Sequence, residues 1–331
     1  MGGGDAEVVK PMGAFSWLSG RSPGGPWRRV RHFLELIKFS HSIFALPFAL
    51  IATFLAARRI GLLWPGWTRL AMIVLCMILA RAFAMTFNRL ADRELDRRNP
   101  RTQRRPSATG DISISFMVGA LVMCGGLFIF SAWLFIPLLG NIYPVLLAVP
   151  VLGWIALYSF TKRFTWLCHF YLGTSLGLAP LSAWVAIVPP HGPALSVQVV
   201  LLGVAVAFWT AGFDILYALQ DIQVDRQEKL FSIPAALGIG GSLWISRACH
   251  ILTVLYLLGF GLGWGDGIAL GPWYWTGFFI VLLLLTVEQS LVKAEDISRI
   301  NLAFMTVNGL VSLVFGTLSI VAILLLPRNL G

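Results

Sequence analysis

Long apolar runs alternate with short polar connections along this chain. The runs are as long as membrane spans, which need about 20 mainly apolar residues. Nine segments qualify: 39–57, 69–91, 113–136, 142–159, 166–188, 198–220, 242–263, 272–290 and 302–326. The fourth is short and interrupted by Pro144 and Pro150, which membrane helices tolerate when neighbours satisfy the freed carbonyls. Residues 1–27 are rich in Gly, Pro and Ser and lack an apolar stretch, so they read as a disordered tail. The segment WRRVRHFLELIKF follows and mixes basic residues with Trp27, Phe33, Leu34 and Leu36. It is expected to lie at the membrane interface before the first span. Residues 28–331 are expected to form one transmembrane domain. The fold class is all-α, a polytopic membrane protein with nine transmembrane helices.

The polar connections set the orientation. With the N-terminus inside, the inner side receives 20 of the 25 Lys and Arg residues. Arg58, Arg59, Arg69 and Arg328 fall outside, and Arg81 lies within the second span. Basic residues hold loops on the cytoplasmic side, so a cytoplasmic N-terminus in an inner membrane is expected. Composition agrees: 57% of the residues are apolar and 12% charged, against about 25% charged in a soluble domain. A soluble enzyme, a disordered protein and a disulfide-stapled module are excluded. The net charge of +10 is read as topological rather than as a sign of a nucleic-acid partner. Cys76, Cys124, Cys168 and Cys249 lie in or beside apolar runs without metal-ligand spacing and imply no disulfide.

Acidic residues depart from this pattern. Eight of the 15 sit in two inner loops or the helix ends that feed them. The first group reads N88-R-L-A-D92-R-E-L-D96 and the second Y217-A-L-Q-D221-I-Q-V-D225, with Asp214 three residues before Tyr217. Spacing of four puts each triplet on one helical face. The triplets are 129 positions apart, a weak internal symmetry. Bare carboxylates so placed repel one another. They become favourable when they hold a hard divalent cation, and Mg²⁺ is typically held by one or two carboxylates together with phosphate oxygens. Two such pairs at a membrane edge point to a diphosphate held between metal ions. A solvated, salt-bridged helix end is the plainer alternative.

Other cations and polar groups are candidates around this site. The loop RRNPRTQRRPSATG carries Arg97, Arg98, Arg101, Arg104 and Arg105, and Arg grips phosphate oxygens bidentately. Most of these set topology or meet anionic headgroups, while one or two are expected to close over the diphosphate. Lys162 and Arg163 occupy a very short inner loop and either face the same cavity or serve only topology. Arg81 stands seven residues before Asn88, on the same face and two turns deeper. An intramembrane Arg marks a functional site by default. It would pair with an acidic substrate group or with one of the aspartates. His41 is an inner-edge histidine of undecided role.

These residues resemble the UbiA superfamily of intramembrane aromatic prenyltransferases. Its NxxxDxxxD motif is matched by Asn88, Asp92 and Asp96, and its RTxxRPxxxG pattern by Arg101, Thr102, Arg105, Pro106 and Gly110. Its YxxxDxxxD motif is matched by Tyr217, Asp221 and Asp225. The stretch from Tyr158 to Thr165 and the position of Arg81 also fit, and the likeness spans residues 28–325. Lys229 and Leu230 replace the more usual acidic or Gly ending of the second motif.

The resemblance implies a nine-helix bundle around a central cavity, capped on the cytoplasmic side. It implies Mg²⁺-dependent transfer of a polyprenyl group to an aromatic ring. Asp92, Asp96, Asp221 and Asp225 would bind two Mg²⁺ ions that clamp the diphosphate. Asn88, Lys162 and Arg101 or Arg105 would add donors. Arg81 would meet the acceptor's carboxylate or lie near the diphosphate, and Asp214 or Asp221 would help deprotonate the phenol. KFSHSIFALPFAL and GFDILYALQD look most like the 4-hydroxybenzoate polyprenyltransferase branch linked to ubiquinone or menaquinone synthesis. The implied partners are polyprenyl diphosphate, an aromatic acid and membrane lipid, with no obligate protein partner evident. A 1,4-dihydroxy-6-naphthoate acceptor is the alternative within the family, beside haem, chlorophyll or phospholipid prenyl transfer. Outside it stand a CDP-alcohol phosphotransferase, whose acidic motif is one contiguous run, and an ion-coupled transporter, whose charges lie near the midplane.

Overall fold

A computed structural model of the chain describes residues 44–293, 296–297 and 299–327. Among them there is no strand, and the helices follow the apolar runs. We number them α1 Leu46–Arg59, α2 Trp67–Ala91, α3 Arg93–Arg98, α4 Ile114–Leu139, α5 Tyr143–Thr161, α6 Cys168–Ile187, α7 Val197–Ala218, α8 Ile222–Gln227, α9 Ile233–Leu262, α10 Pro272–Leu291 and α11 Ile300–Leu324. Eight among the described residues are long and apolar enough to cross a membrane: α2, α4, α5, α6, α7 with its extension to Gln227, α9, α10 and α11. The chain is an integral membrane protein. The first of the nine predicted spans corresponds to α1, whose 14 described residues continue a run that begins earlier. The N-terminal tail, the interfacial segment, His41 and Arg328 lie outside the described residues.

Local chemistry sets the ends. The Ser113, Ser196 and Ser232 side chains accept from backbone N–H groups in the first turns of α4, α7 and α9, as helix N-caps do. Pro150 and Pro180 sit inside α5 and α6. The seventh span starts nine residues earlier than the sequence indicated, at Ile233. Within its Gly-rich entry GIGGS only Gly238 leaves helical geometry, at φ +68°. The Ser232 cap and Pro234 start the helix upstream of that kink.

Two differences bear on the site. Neither acidic triplet lies on one continuous helix. α2 ends at Ala91 and a new six-residue helix begins at Arg93. α7 gives way to a 3₁₀ turn, Leu219–Asp221, before the six-residue α8. The sequence contains no Gly or Pro at either break, so nothing in it marked the interruption.

α7 is the central helix, with its largest contacts to α6 and α9. A Cβ on Gly173 of α6 would run into the Ala207 carbonyl oxygen, and one on Gly177 would sit 2.5 Å from the Gly203 carbonyl oxygen. Small residues at such spacing let membrane helices approach closely. Trp209 of α7 anchors an aromatic core with Phe48 and Phe213 at centroid distances of 5.3 and 5.0 Å. Its Nε1 donates to Asn308 Oδ1 at 2.7 Å, and Asn308 Nδ2 donates to Glu288 Oε1 at 2.7 Å. All three residues are buried.

Candidate active site

The two acidic motifs meet at one end of the bundle. Asp92 follows the last residue of α2 at φ −99°, ψ 8°, and Asp221 precedes α8 at φ −107°, ψ 4°. These values fall in the sparsely populated bridge region, where many active-site residues sit. The chain nevertheless continues the helical hydrogen bonding through the first break. The Asp92 amide donates to the Asn88 carbonyl at 2.9 Å, and the Asp96 amide to the Asp92 carbonyl at 2.7 Å. Asp96 and Asp225 each follow on a short helix and are buried.

Every motif carboxylate faces a cation. Asp92 Oδ1 is 3.3 Å from Arg163, and its Oδ2 accepts from Asn88 Nδ2 at 2.7 Å. Asp96 pairs with Arg105 at 2.7 Å and with Arg89 at 3.7 Å. Asp221 accepts from Arg101 Nε at 3.0 Å and from Asn99 at 2.9 Å, while a second Arg101 nitrogen reaches its other oxygen. Asp225 pairs with Lys162 at 2.7 Å and accepts from the Ser232 hydroxyl at 2.7 Å.

Lys162 and Arg163, whose role the spacing left open, therefore divide between the two motifs. The Arg-rich loop also ties them together, since Arg101 lies over the Tyr217 ring at 5.1 Å and Arg98 pairs with Glu228 at 2.9 Å. Arg93 and Arg97 instead donate to the Ser107 and Ala108 carbonyls, so these two fold their own loop.

Burial and charge act against each other here. Burial is the main influence on Asp92 and pushes its carboxyl above the ordinary range; Arg163 and Asn88 oppose this, and neighbouring Asp96 adds to it. Burial alone would make Lys162 and Arg101 easier to deprotonate. Asp225 outweighs it for Lys162, and Asp221 for Arg101, so both cations are held above their usual values.

Next to this cluster opens a cavity of about 380 Å³. Asn88 and Tyr217, the first residue of each motif, line it, as do Arg89, Tyr158 and Asp214. Its remaining wall is largely apolar and includes Phe44, Phe213 and Phe304. Phe304 lies in a π-helical turn, Ala303–Val307, and stacks on Tyr217 at 4.2 Å. Arg81 also lines the cavity, and its Nε is buried with no hydrogen-bond partner among the described residues. The expected site residues thus fall into two groups. Asn88, Arg81, Asp214 and Tyr217 face the cavity, and Asp92, Asp96, Asp221, Asp225, Arg101, Arg105 and Lys162 form the ion-paired cluster beside it.

The donor set suits a hard cation. Among the described residues no three carboxylate, His or Cys groups already converge on one point. Mg²⁺ does not require this, because phosphate oxygens and waters complete its shell. Asp96 Oδ2 is buried without a hydrogen-bond partner among the described residues, with the Arg89 guanidinium 3.7 Å away. Four residues that the sequence did not single out belong to the arrangement: Asn99, Ser232, Arg89 in its contact with Asp96, and His169, which bonds Asp214. Only His169 carried a signal, as an ionisable group inside an apolar run.

The family model for the UbiA prenyltransferase family matches residues 45–310. A 4-hydroxybenzoate octaprenyltransferase from Nitrosomonas eutropha is 31% identical over 252 residues, covering 74% of this chain and 81% of that protein. The apo structure of a UbiA homolog from Aeropyrum pernix K1 superposes with a TM-score of 0.73 at 29% identity, covering 85% of this chain and 97% of that one. A UbiA homolog from Archaeoglobus fulgidus bound to DMAPP and Mg²⁺ shares the fold, with a TM-score of 0.64 at 19% identity over 89% of this chain and 100% of that one. With its motifs gathered at the mouth of one intramembrane cavity, this chain belongs to the UbiA prenyltransferase family and is an enzyme of that family.

Proposed function

We propose that the protein transfers a polyprenyl group from polyprenyl diphosphate to a ring carbon of 4-hydroxybenzoate, in quinone biosynthesis. The observation that carries this reading is the convergence of both acidic motifs beside an apolar cavity that also holds Arg81 and Asp214. The relatives named as 4-hydroxybenzoate octaprenyltransferases support the acceptor. The basic-residue asymmetry supports placing the N-terminus and the motif end on the cytoplasmic side. The whole of 28–331 acts as one transmembrane domain in this reading.

Asp92, Asp96, Asp221 and Asp225 would hold Mg²⁺, which when bound supplies Lewis-acid neutralisation of the leaving diphosphate. Arg101, Arg105, Lys162 and Arg163 now neutralise these carboxylates. They exchange that role for contacts to phosphate oxygens when diphosphate arrives, Arg by its two-pronged geometry. Asn88 stands between motif and cavity and donates at the boundary. The apolar walls exclude water from the allylic cation, and the faces of Tyr217 and Phe304 attract its charge. Arg81, with its unpartnered Nε, receives the acceptor's carboxylate. Asp214 accepts from the ring hydroxyl.

The test uses membranes containing the protein, Mg²⁺ and a long-chain prenyl diphosphate, with 4-hydroxybenzoate and 1,4-dihydroxy-6-naphthoate offered in parallel and products identified by mass. Prenylated benzoate is expected. Prenylated naphthoate alone moves the assignment to a menaquinone-type acceptor. No product from either, with diphosphate release at background, defeats the aromatic-acid reading.

A further inference from the structure

Asp214 differs from the other carboxylates of the site. The four motif aspartates each face Arg or Lys. Asp214 lines the cavity, and its partner is a histidine: His169 Nδ1 lies 2.7 Å from Asp214 Oδ2. His169 belongs to the first turn of α6, is 2% exposed and does not itself line the cavity. Facing a carboxylate, Nδ1 carries the proton whether the ring is neutral or charged. His169 Nε2 is buried with no hydrogen-bond partner among the described residues, so the ring serves Asp214 rather than a wider network.

The contact is built into the helix pair. α6 and α7 are joined by a short connection and run antiparallel. Gly177 meets Gly203 and Gly173 meets Ala207, and further toward the motif end, one turn on along α6 and two along α7, His169 meets Asp214. A helix separation set by glycines is what lets a short imidazole reach the carboxylate. Asp214 Oδ2 is thereby occupied, and its other oxygen is left for the cavity.

We propose that His169 is a positioning residue for the acceptor: by donating Nδ1–H to Asp214 Oδ2 it fixes that carboxylate in place and aims it at the acceptor's ring hydroxyl. This rests on the aromatic-acceptor reading above. In the step it serves, the bond from the allylic carbon to the diphosphate oxygen breaks, and the electron pair leaves with diphosphate. A ring carbon ortho to the hydroxyl forms the new C–C bond as the O–H proton passes to Asp214. The substituted ring carbon then loses its proton, and Asp214 returns its own to the oxygen. One proton is released overall, and no oxidant or reductant is consumed.

The experiment compares the full-length protein with His169→Leu and His169→Asn in membranes. Each is assayed with the aromatic acid that the unsubstituted protein prenylates and with its ring-fluorinated analogue, whose hydroxyl is more acidic and depends less on a base. His169→Leu is expected to lower kcat with the parent acceptor by about 10- to 100-fold and to leave KM for prenyl diphosphate unchanged. The rate ratio of fluorinated to parent acceptor should rise severalfold. His169→Asn, which places an N–H donor near the Nδ1 position, should recover most of the activity. The inference is overturned by unchanged turnover in His169→Leu, or by an equal loss with both acceptors.

Should His169→Leu fail to accumulate, His169→Asn against His169→Gln decides the matter, because Gln places its donor near Nε2 instead. Asn at least tenfold more active than Gln supports the role, and equal activity overturns it. If the unsubstituted protein prenylates neither aromatic acid, the acceptor reading itself has failed and this inference falls with it. That outcome is visible before any variant is compared.

Discussion

Arg101 and Asp221 join the two halves of the site: the guanidinium that follows the first motif grips the carboxylate of the second through two nitrogens. A third Arg101 nitrogen donates to the Tyr217 hydroxyl at 3.0 Å, and the guanidinium lies over the same ring. One side chain thus fixes how the Arg-rich loop sits over the mouth of the cavity.

That geometry predicts the effect of Arg101→Lys. Lysine keeps the charge but loses the planar fork and the stacking, so the exchange is not conservative at such a site. Turnover should fall about tenfold or more and KM for prenyl diphosphate should rise, as measured by steady-state kinetics in membranes. A variant indistinguishable from the parent would mean that the contact is incidental.

The raised Asp92 carboxyl gives a pH dependence with a defined sign. A group whose pKa is raised takes up its proton at a higher pH than an ordinary carboxyl, which titrates near 4. As pH falls toward the ordinary carboxylate range, protons should compete with the metal at Asp92 before they do so at an ordinary aspartate. The Mg²⁺ concentration for half-maximal activity should therefore rise as pH falls. Asp92→Asn should flatten that rise in its residual activity. Mg²⁺ titrations at fixed pH values check both expectations.

The α6–α7 seam should resist enlargement. A Cβ at Gly173 meets backbone rather than a movable side chain, so the helices themselves must separate. Gly173→Val should lower the thermal unfolding temperature in detergent and cut transfer at least tenfold, because the seam also aligns His169 with Asp214. Gly119 has open space where its Cβ would be, and Gly119→Ala is the control expected to leave both unchanged.

Asn308 bridges two buried groups, Trp209 and Glu288. Asn308→Leu strands both in the membrane interior. Leaving a buried polar group unpartnered costs about 1–3 kcal/mol, so the variant should unfold at lower temperature or lower denaturant. An unchanged unfolding transition would show that the two groups find other partners.

The helices were legible because their signal is composition over about 20 residues, which a membrane span demands regardless of partners. The first residues of the motifs were legible too, since Asn88, Asp92, Tyr217 and Asp221 sit at fixed spacing. The helix breaks at Asp92 and Asp221 were not. They carry no Gly or Pro, and the cations that pair with Asp92 and Asp221 there, Arg163 and Arg101, lie 71 and 120 positions away in the chain. Asn99 and Ser232 escaped notice because an isolated polar residue carries no pattern, and Asn99 reaches Asp221 from 122 positions away. His169 stood out only as an ionisable group in an apolar run, with its partner 45 positions away. Arg81 was visible as a charge inside a span, and the cavity shows why it is tolerated there.

The most direct test of the account removes one carboxylate from each motif. Asp92→Ala and Asp221→Ala should each insert and fold in the membrane yet lose Mg²⁺-dependent prenyl transfer by at least about 100-fold, since removing a main electrostatic group of an active site costs on that order. The readout is the mass-detected prenylated acid from purified protein. Near-normal product from either well-folded variant would contradict the placement of the diphosphate and its metal ions between the two motifs.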